Sequence, residues 1–148
     1  MSLQEKLQAE LKAAMLARDP ERLSTLRLLK SALGYTLIER KSEQLSDADM
    51  IVLVQREVKK RRDSAEQFQQ GGRTELADKE IREIAVLETF LPAALSAAEL
   101  ESLVEQTIQE IGASSKKEMG AVIKAVQAKA AGRADGKSIS AAVSKRLP

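Results

Sequence analysis

Three observations predict an all-α fold. Apolar residues recur at three- and four-residue spacing along almost the whole chain, Ser- or Asp-led capping signals precede most of those runs, and aromatic residues make up only 2% of the 148 positions. With so few rings, burial must come from Leu, Ile, Val, Met and Ala on interlocking helices. A chain of this length has the size of one domain or of two small ones, and hides roughly two-thirds of its unfolded surface.

Ser2-Leu3-Gln4-Glu5 has the capping-box form, and Leu3, Leu7, Leu11 and Ala14 behind it predict a first helix running to about Arg18. Asp19-Pro20 stops that helix and starts the next, because proline disfavours helix in the residue before it and suits the first helical position. The second helix is expected to bury Leu26, Leu29, Leu33 and Leu37, with Leu23 and Ile38 nearby. Gly34 in its middle costs roughly 1 kcal/mol relative to Ala, and close approach of another helix would account for it.

After a polar loop from Lys41 to Leu45, Ser46-Asp47-Ala48-Asp49 opens the longest helical run, with Ile51, Val54, Val58, Ala65 and Phe68 in a seam that also takes in Arg61. Around Arg61 lies Arg56-Glu57-Val58-Lys59-Lys60-Arg61-Arg62-Asp63. It reads either as a patch for an anionic ligand or as an exposed face laced with the i,i+4 pairs Glu57/Arg61, Lys59/Asp63 and Arg62/Glu66, and the pairs favour the second reading. Gly71-Gly72 ends the helix with a left-handed cap at either glycine. A fourth helix from Thr74 to Leu91 would bury Ala77, Ile81, Ile84, Leu87 and Leu91, and Leu91-Pro92 stops it.

Ser96-Ala97-Ala98-Glu99 is another capping box, with Leu100, Leu103, Ile108 and Ile111 following and Gly112 at the C-cap position. Ser115-Lys116-Lys117-Glu118 repeats that signal ahead of a sixth helix burying Met119, Val122, Ile123, Val126 and Ala130. A seventh, from about Lys137, buries Ile139, Val143 and Leu147. The expected architecture is an N-terminal four-helix bundle over residues 1–93 followed by a small three-helix C-terminal domain over residues 94–148.

Charge is unevenly distributed. From residue 113 onward eight Lys or Arg stand against Glu118 and Asp135, a local +6, so the formal total of +2 hides an N-terminal part at −4. Residues 74–112 hold nine acidic side chains against Lys79 and Arg82, a stretch that repels nucleic acid. On a 100° wheel the face of the sixth helix opposite its apolar residues carries Lys124 with Ala121 and Ala128, and Lys117 extends it. Positive and free of bulk, it suits a phosphate backbone. An Ala/Lys helix that is merely solvated has the same composition.

Gly132-Arg133-Ala134-Asp135-Gly136 has two compatible readings. It is a Schellman cap at Gly132 followed by an Asp135 cap, or a turn offering backbone N–H groups to an anion. Three residues separate the glycines, so the nucleotide-binding spacing GxxxxGK[ST] is absent.

No Cys and no His are present. That removes Cys and Ser-His nucleophile systems, thiolate zinc sites, imidazole proton shuttles and any disulfide framework. Carboxylates, Lys, Ser and the single Tyr35 remain for acid/base or Ser-Lys chemistry. No run approaches the roughly 18 apolar residues of a membrane span, and MSLQEKLQAEL has charges where a signal peptide has its apolar core. The expected location is cytoplasmic, with no membrane partner.

The segment from Gln55 to Phe68, then Glu88-Thr89-Phe90-Leu91-Pro92, Ser114 to Gly120 and Gly132-Arg133-Ala134-Asp135-Gly136 together resemble the YqeY-like family over the full length. The C-terminal part of that family is related to the tail domain of the B subunit of tRNA-dependent amidotransferases. The resemblance implies four helices followed by three, and a link to tRNA. It would also attach, by domain similarity, a carbon–nitrogen ligase activity with glutamine as amide donor, but the amidotransferase's catalytic domain and glutaminase partner have no counterpart here. Ala121 stands where the family commonly has lysine, and Ser140 where the amidotransferase-like pattern often has asparagine.

The sequence therefore points to a non-catalytic module that binds tRNA or another structured RNA through Lys117, Lys124, Lys129, Arg133 and Lys137. The alternatives are an amidotransferase-related enzyme and an adaptor, built on the third helix or the acidic stretch, for a translation-related protein partner. No catalytic residue, metal ligand or cofactor is assigned.

Overall fold

A computed structural model describes all residues, Met1–Pro148. The chain is all-α, with seven α-helices and no strand: α1 (Leu3–Leu16), α2 (Pro20–Arg40), α3 (Asp47–Gln70), α4 (Thr74–Glu88), α5 (Ala97–Ile111), α6 (Met119–Ala130) and α7 (Gly136–Arg146). A single 3-10 turn, Lys116–Glu118, precedes α6. The chain divides into two compact units, Met1–Leu91 and Pro92–Pro148, each with its own apolar core.

Caps set the helix starts. The Ser2, Asp19 and Ser46 side chains accept hydrogen bonds from the backbone N–H of Glu5, Arg22 and Asp49, and Ser96 with Glu99 forms the complete reciprocal box. The box expected at Ser115 does not form. Glu118 instead accepts from the Ser114 N–H at 2.6 Å, and the chain winds as a 3-10 turn before α6 begins. At the other ends, Gly72 and Gly112 take positive φ, and after α6 both Ala131 and Gly132 are left-handed.

The first unit packs α3 along α4 most extensively, with α2 touching α1, α3 and α4. Its core takes Leu7 from α1, Leu26, Leu29 and Leu33 from α2, Met50, Val54 and Val58 from α3, and Ile84, Leu87 and Phe90 from α4 and its exit. The expected faces are partly corrected. Ile38 and Ile81 are exposed, and Glu83 is buried one step round α4 from Ile84. α4 also ends at Glu88, three residues early, as the Thr89 hydroxyl and N–H both turn back to the Val86 carbonyl. Gly34 serves no close approach: a Cβ built there meets nothing within 4 Å.

Charge also enters this core. The Arg61 Nε donates to Glu83 Oε2 at 3.1 Å, its Nη1 lies 3.8 Å from Glu57 Oε1 and donates to the Glu57 carbonyl at 3.2 Å, and all three residues are under 9% exposed. The Glu57/Arg61 pair is thus not part of an exposed face. It belongs to a buried network joining α3 to α4, with Lys60 reaching Glu57 from outside at 3.0 Å. Beside it, burial and then the negative charge of Glu83 hold the Glu80 carboxyl above the usual carboxylate range.

The second unit packs α5, α6 and α7 against one another around Leu100, Val104, Val122, Val126, Ile139 and Val143. Asp135 caps α7, its Oδ1 accepting from the Ser138 N–H at 2.7 Å.

Candidate nucleic-acid interface

The basic side chains of the second unit are placed by α6 and its two flanking turns. Val122, Val126 and Ala130 bury one side of α6. Successive residues turn by 100°, so Lys124 and the small residues Ala121 and Ala128 face away from the core, and all three are exposed. Lys117 is exposed in the 3-10 turn, whose Lys116 N–H donates to the carbonyl of Pro148 at 3.3 Å. Lys137 is exposed in the first turn of α7, next to Gly136, where a Cβ would sit 3.6 Å from the Gln127 side chain of α6. The structure gives Lys117, Lys124 and Lys137 no carboxylate partner.

Lys129 and Arg133 lie elsewhere. They line an open groove of about 470 Å³ with Leu95, Glu99, Leu103 and Ala130 among its walls. The Lys129 ammonium is bound to Glu110 and lies 3.4 Å from the Thr107 hydroxyl. Arg133 donates through Nε to the Ala93 carbonyl at 2.9 Å and approaches Glu99 at 3.9 Å, and its own carbonyl accepts from the Leu95 N–H at 2.8 Å. The Glu99 carboxyl falls below the usual range, chiefly because the Ser96 N–H donates to it, then through the Ser96 side chain, with Arg133 adding a smaller effect. The five predicted side chains therefore form two groups, three free lysines and two cations engaged by their own unit.

Sequence reasoning missed what α5 does to the basic tail. Lys145 lies 3.9 Å from Glu101 and Arg146 2.6 Å from Glu105. Counted over Pro92–Pro148, eight basic side chains meet six acidic ones, and the +6 of the tail becomes +2. The i,i+4 repeat Glu101/Glu105 was visible as one acidic edge of α5, but which helix lies against that edge has no signature in local spacing.

Comparison with known proteins gives the chain a family. A family model described as YqeY-like protein matches residues 4–147. "Altered inheritance of mitochondria protein 41, mitochondrial" is 31% identical in Lachancea thermotolerans and 32% identical in Kluyveromyces lactis. Each match runs over 108 residues, 71% of this chain and 57% or 58% of the relative. "Uncharacterized protein C22F3.15" of Schizosaccharomyces pombe is 32% identical over 92 residues, 62% of this chain and 73% of that protein. The chain thus spans less than two-thirds of the length of the first two relatives. Their names overturn the cytoplasmic expectation, since they point to mitochondria; a charged N-terminal stretch and the lack of a helix able to cross a membrane carry no information on compartment. With nearly its whole length matched, the chain belongs to the YqeY-like protein family.

Proposed function

We propose that the chain is a non-catalytic module that binds tRNA or another structured RNA, with Lys117, Lys124 and Lys137 making the first phosphate contacts. The observation that carries this reading is the set of three lysines without carboxylate partners, one of them on an α6 face whose other side chains are Ala121 and Ala128. Small neighbours leave room for a phosphate backbone to approach, and free ammonium groups bind it without first breaking an ion pair. Lys129 and Arg133 join only by leaving Glu110 and the Ala93 carbonyl. In this reading α1 to α4 form a four-helix bundle that serves as scaffold to the three-helix domain of α5 to α7.

The test is tRNA binding by the full chain across a salt series. Affinity falls with a log–log slope of roughly 0.7 to 0.9 per neutralised phosphate. The K117E/K124E/K137E triple variant should lose measurable binding at moderate salt and flatten the slope by about 2 to 3. Arg133 is left intact in that variant because its side chain already bonds the Ala93 carbonyl within its own unit. Binding of the triple variant equal to that of the wild type at low salt would sink the reading. Glutamine- and ATP-dependent amide formation on mischarged tRNA by the purified chain would show that the module is catalytic instead.

A further inference from the structure

α2 carries a second surface, which the RNA reading does not use. Its core side is Thr25, Leu26, Leu29 and Leu33. At 100° per residue the opposite side holds Pro20, Ser24, Leu28, Ser31, Tyr35 and Ile38. Leu28 is 49% exposed, Tyr35 75% and Ile38 77%. Three large apolar side chains thus stand in water along one line of one helix.

The relief and charge of this face are equally specific. An open notch of about 270 Å³ lies over Ser24, Ser31 and their neighbours, and the space above Gly34 is empty. On one flank stand Arg27, Lys30 and Lys41, none with a carboxylate partner, whereas nearby Arg22 and Arg40 are bound to Glu10 and Asp49. On the other flank are Glu39 and Glu21, the latter held by Arg82 at 2.6 Å.

We propose that this face docks an amphipathic helix of a partner protein, with an apolar ridge over Leu28, Tyr35 and Ile38 and an acidic edge against Arg27, Lys30 and Lys41. Small residues between large ones form holes for the side chains of a facing helix. An exposed tyrosine is a favoured anchor in such contacts, and an unneutralised cationic flank selects an acidic edge. A second copy of this chain fits less well, because a two-fold antiparallel pairing sets the cationic flank against itself. A bilayer fits less well too, since membrane-seated faces are continuous in bulky apolar groups, and here Ser24, Ser31 and Gly34 interrupt them.

The test uses the isotope-labelled full chain and two designed 21-residue helical peptides. Both carry one leucine line, and one has glutamates along the adjacent edge where the other has lysines. The glutamate peptide should shift amide signals of residues 24–38, bind at least tenfold more weakly to R27E/K30E, and lose binding to L28D/Y35D. The lysine peptide should not bind. All four positions are exposed, and circular dichroism checks that the variants stay folded. Equal binding of the two peptides, shifts outside α2, or no shifts at millimolar peptide would overturn the proposal. So would a dimer in sedimentation that Y35D dissociates, or Leu28-dependent binding to phosphatidylglycerol vesicles, which assign the face to a second copy or to a membrane.

Discussion

Arg61 joins α3 to α4 by a contact that no apolar side chain can make. Arg61 is 8% exposed, and its guanidinium lies between the carboxylates of Glu57 and Glu83. Truncation strands the buried Glu83 carboxylate and leaves Glu57 with Lys60 alone, so Arg61→Ala should lower stability by about 3–5 kcal/mol in urea denaturation. Replacing all three as R61M/E57Q/E83Q should cost far less, because no charge is then left unpaired. Glu80 tests the same network by pH. Its folded pKa is raised, so the native state favours the protonated form, and that stabilisation, present at low pH, is lost as pH rises through the folded value. Glu80→Gln should therefore stabilise the chain at pH 7, and the gain should vanish below the ordinary glutamate value of about 4.3. Sequence spacing places Arg61 on the buried seam, yet it also pairs Arg61 with Glu57 on an exposed face. Glu83, 22 residues away, has no local pattern that reveals it.

At the scale of the helix, caps and period carry most of what was legible. Ser2, Ser46, Ser96 and Asp135 all cap where their spacing places them, because an N-cap is a local contract between one side chain and a backbone N–H two or three residues on, and Asp19, read from the sequence only with Pro20 as a stop and restart, caps α2 in the same way. Ser115 is the exception, as Glu118 is taken by the Ser114 N–H. Ser96→Ala should thus cost about 1 kcal/mol and Ser115→Ala less than about 0.5, measured side by side by thermal unfolding. Gly34 was misread because a glycine in a helix signals either close approach or nothing, and only the neighbouring atoms decide. With open space above it, Gly34→Ala should stabilise the chain by about 0.5–1 kcal/mol.

Over the whole molecule, two separate apolar cores imply two separable losses. Leu29→Ala and Ile139→Ala should each cost about 2–5 kcal/mol, and amide hydrogen exchange should show the first loosening Met1–Leu91 and the second Pro92–Pro148. The seven helices were legible from the chain, but the electrostatic surface was not, because a charge count along sequence cannot see Glu101 and Glu105 meeting Lys145 and Arg146. Arg133 shows the converse case of a residue chosen for its charge that also works on the backbone. Its side chain holds the Ala93 carbonyl while its own carbonyl holds the Leu95 N–H, closing a ring of chain that spans 40 positions. The entropy of closing such a ring is about 3 kcal/mol. In a chain without cysteine, this pair of hydrogen bonds joins the same two stretches that a disulfide could join, but a disulfide persists in the unfolded chain and lowers its entropy, whereas this clasp is lost on unfolding and its closure is met anew each time the domain folds.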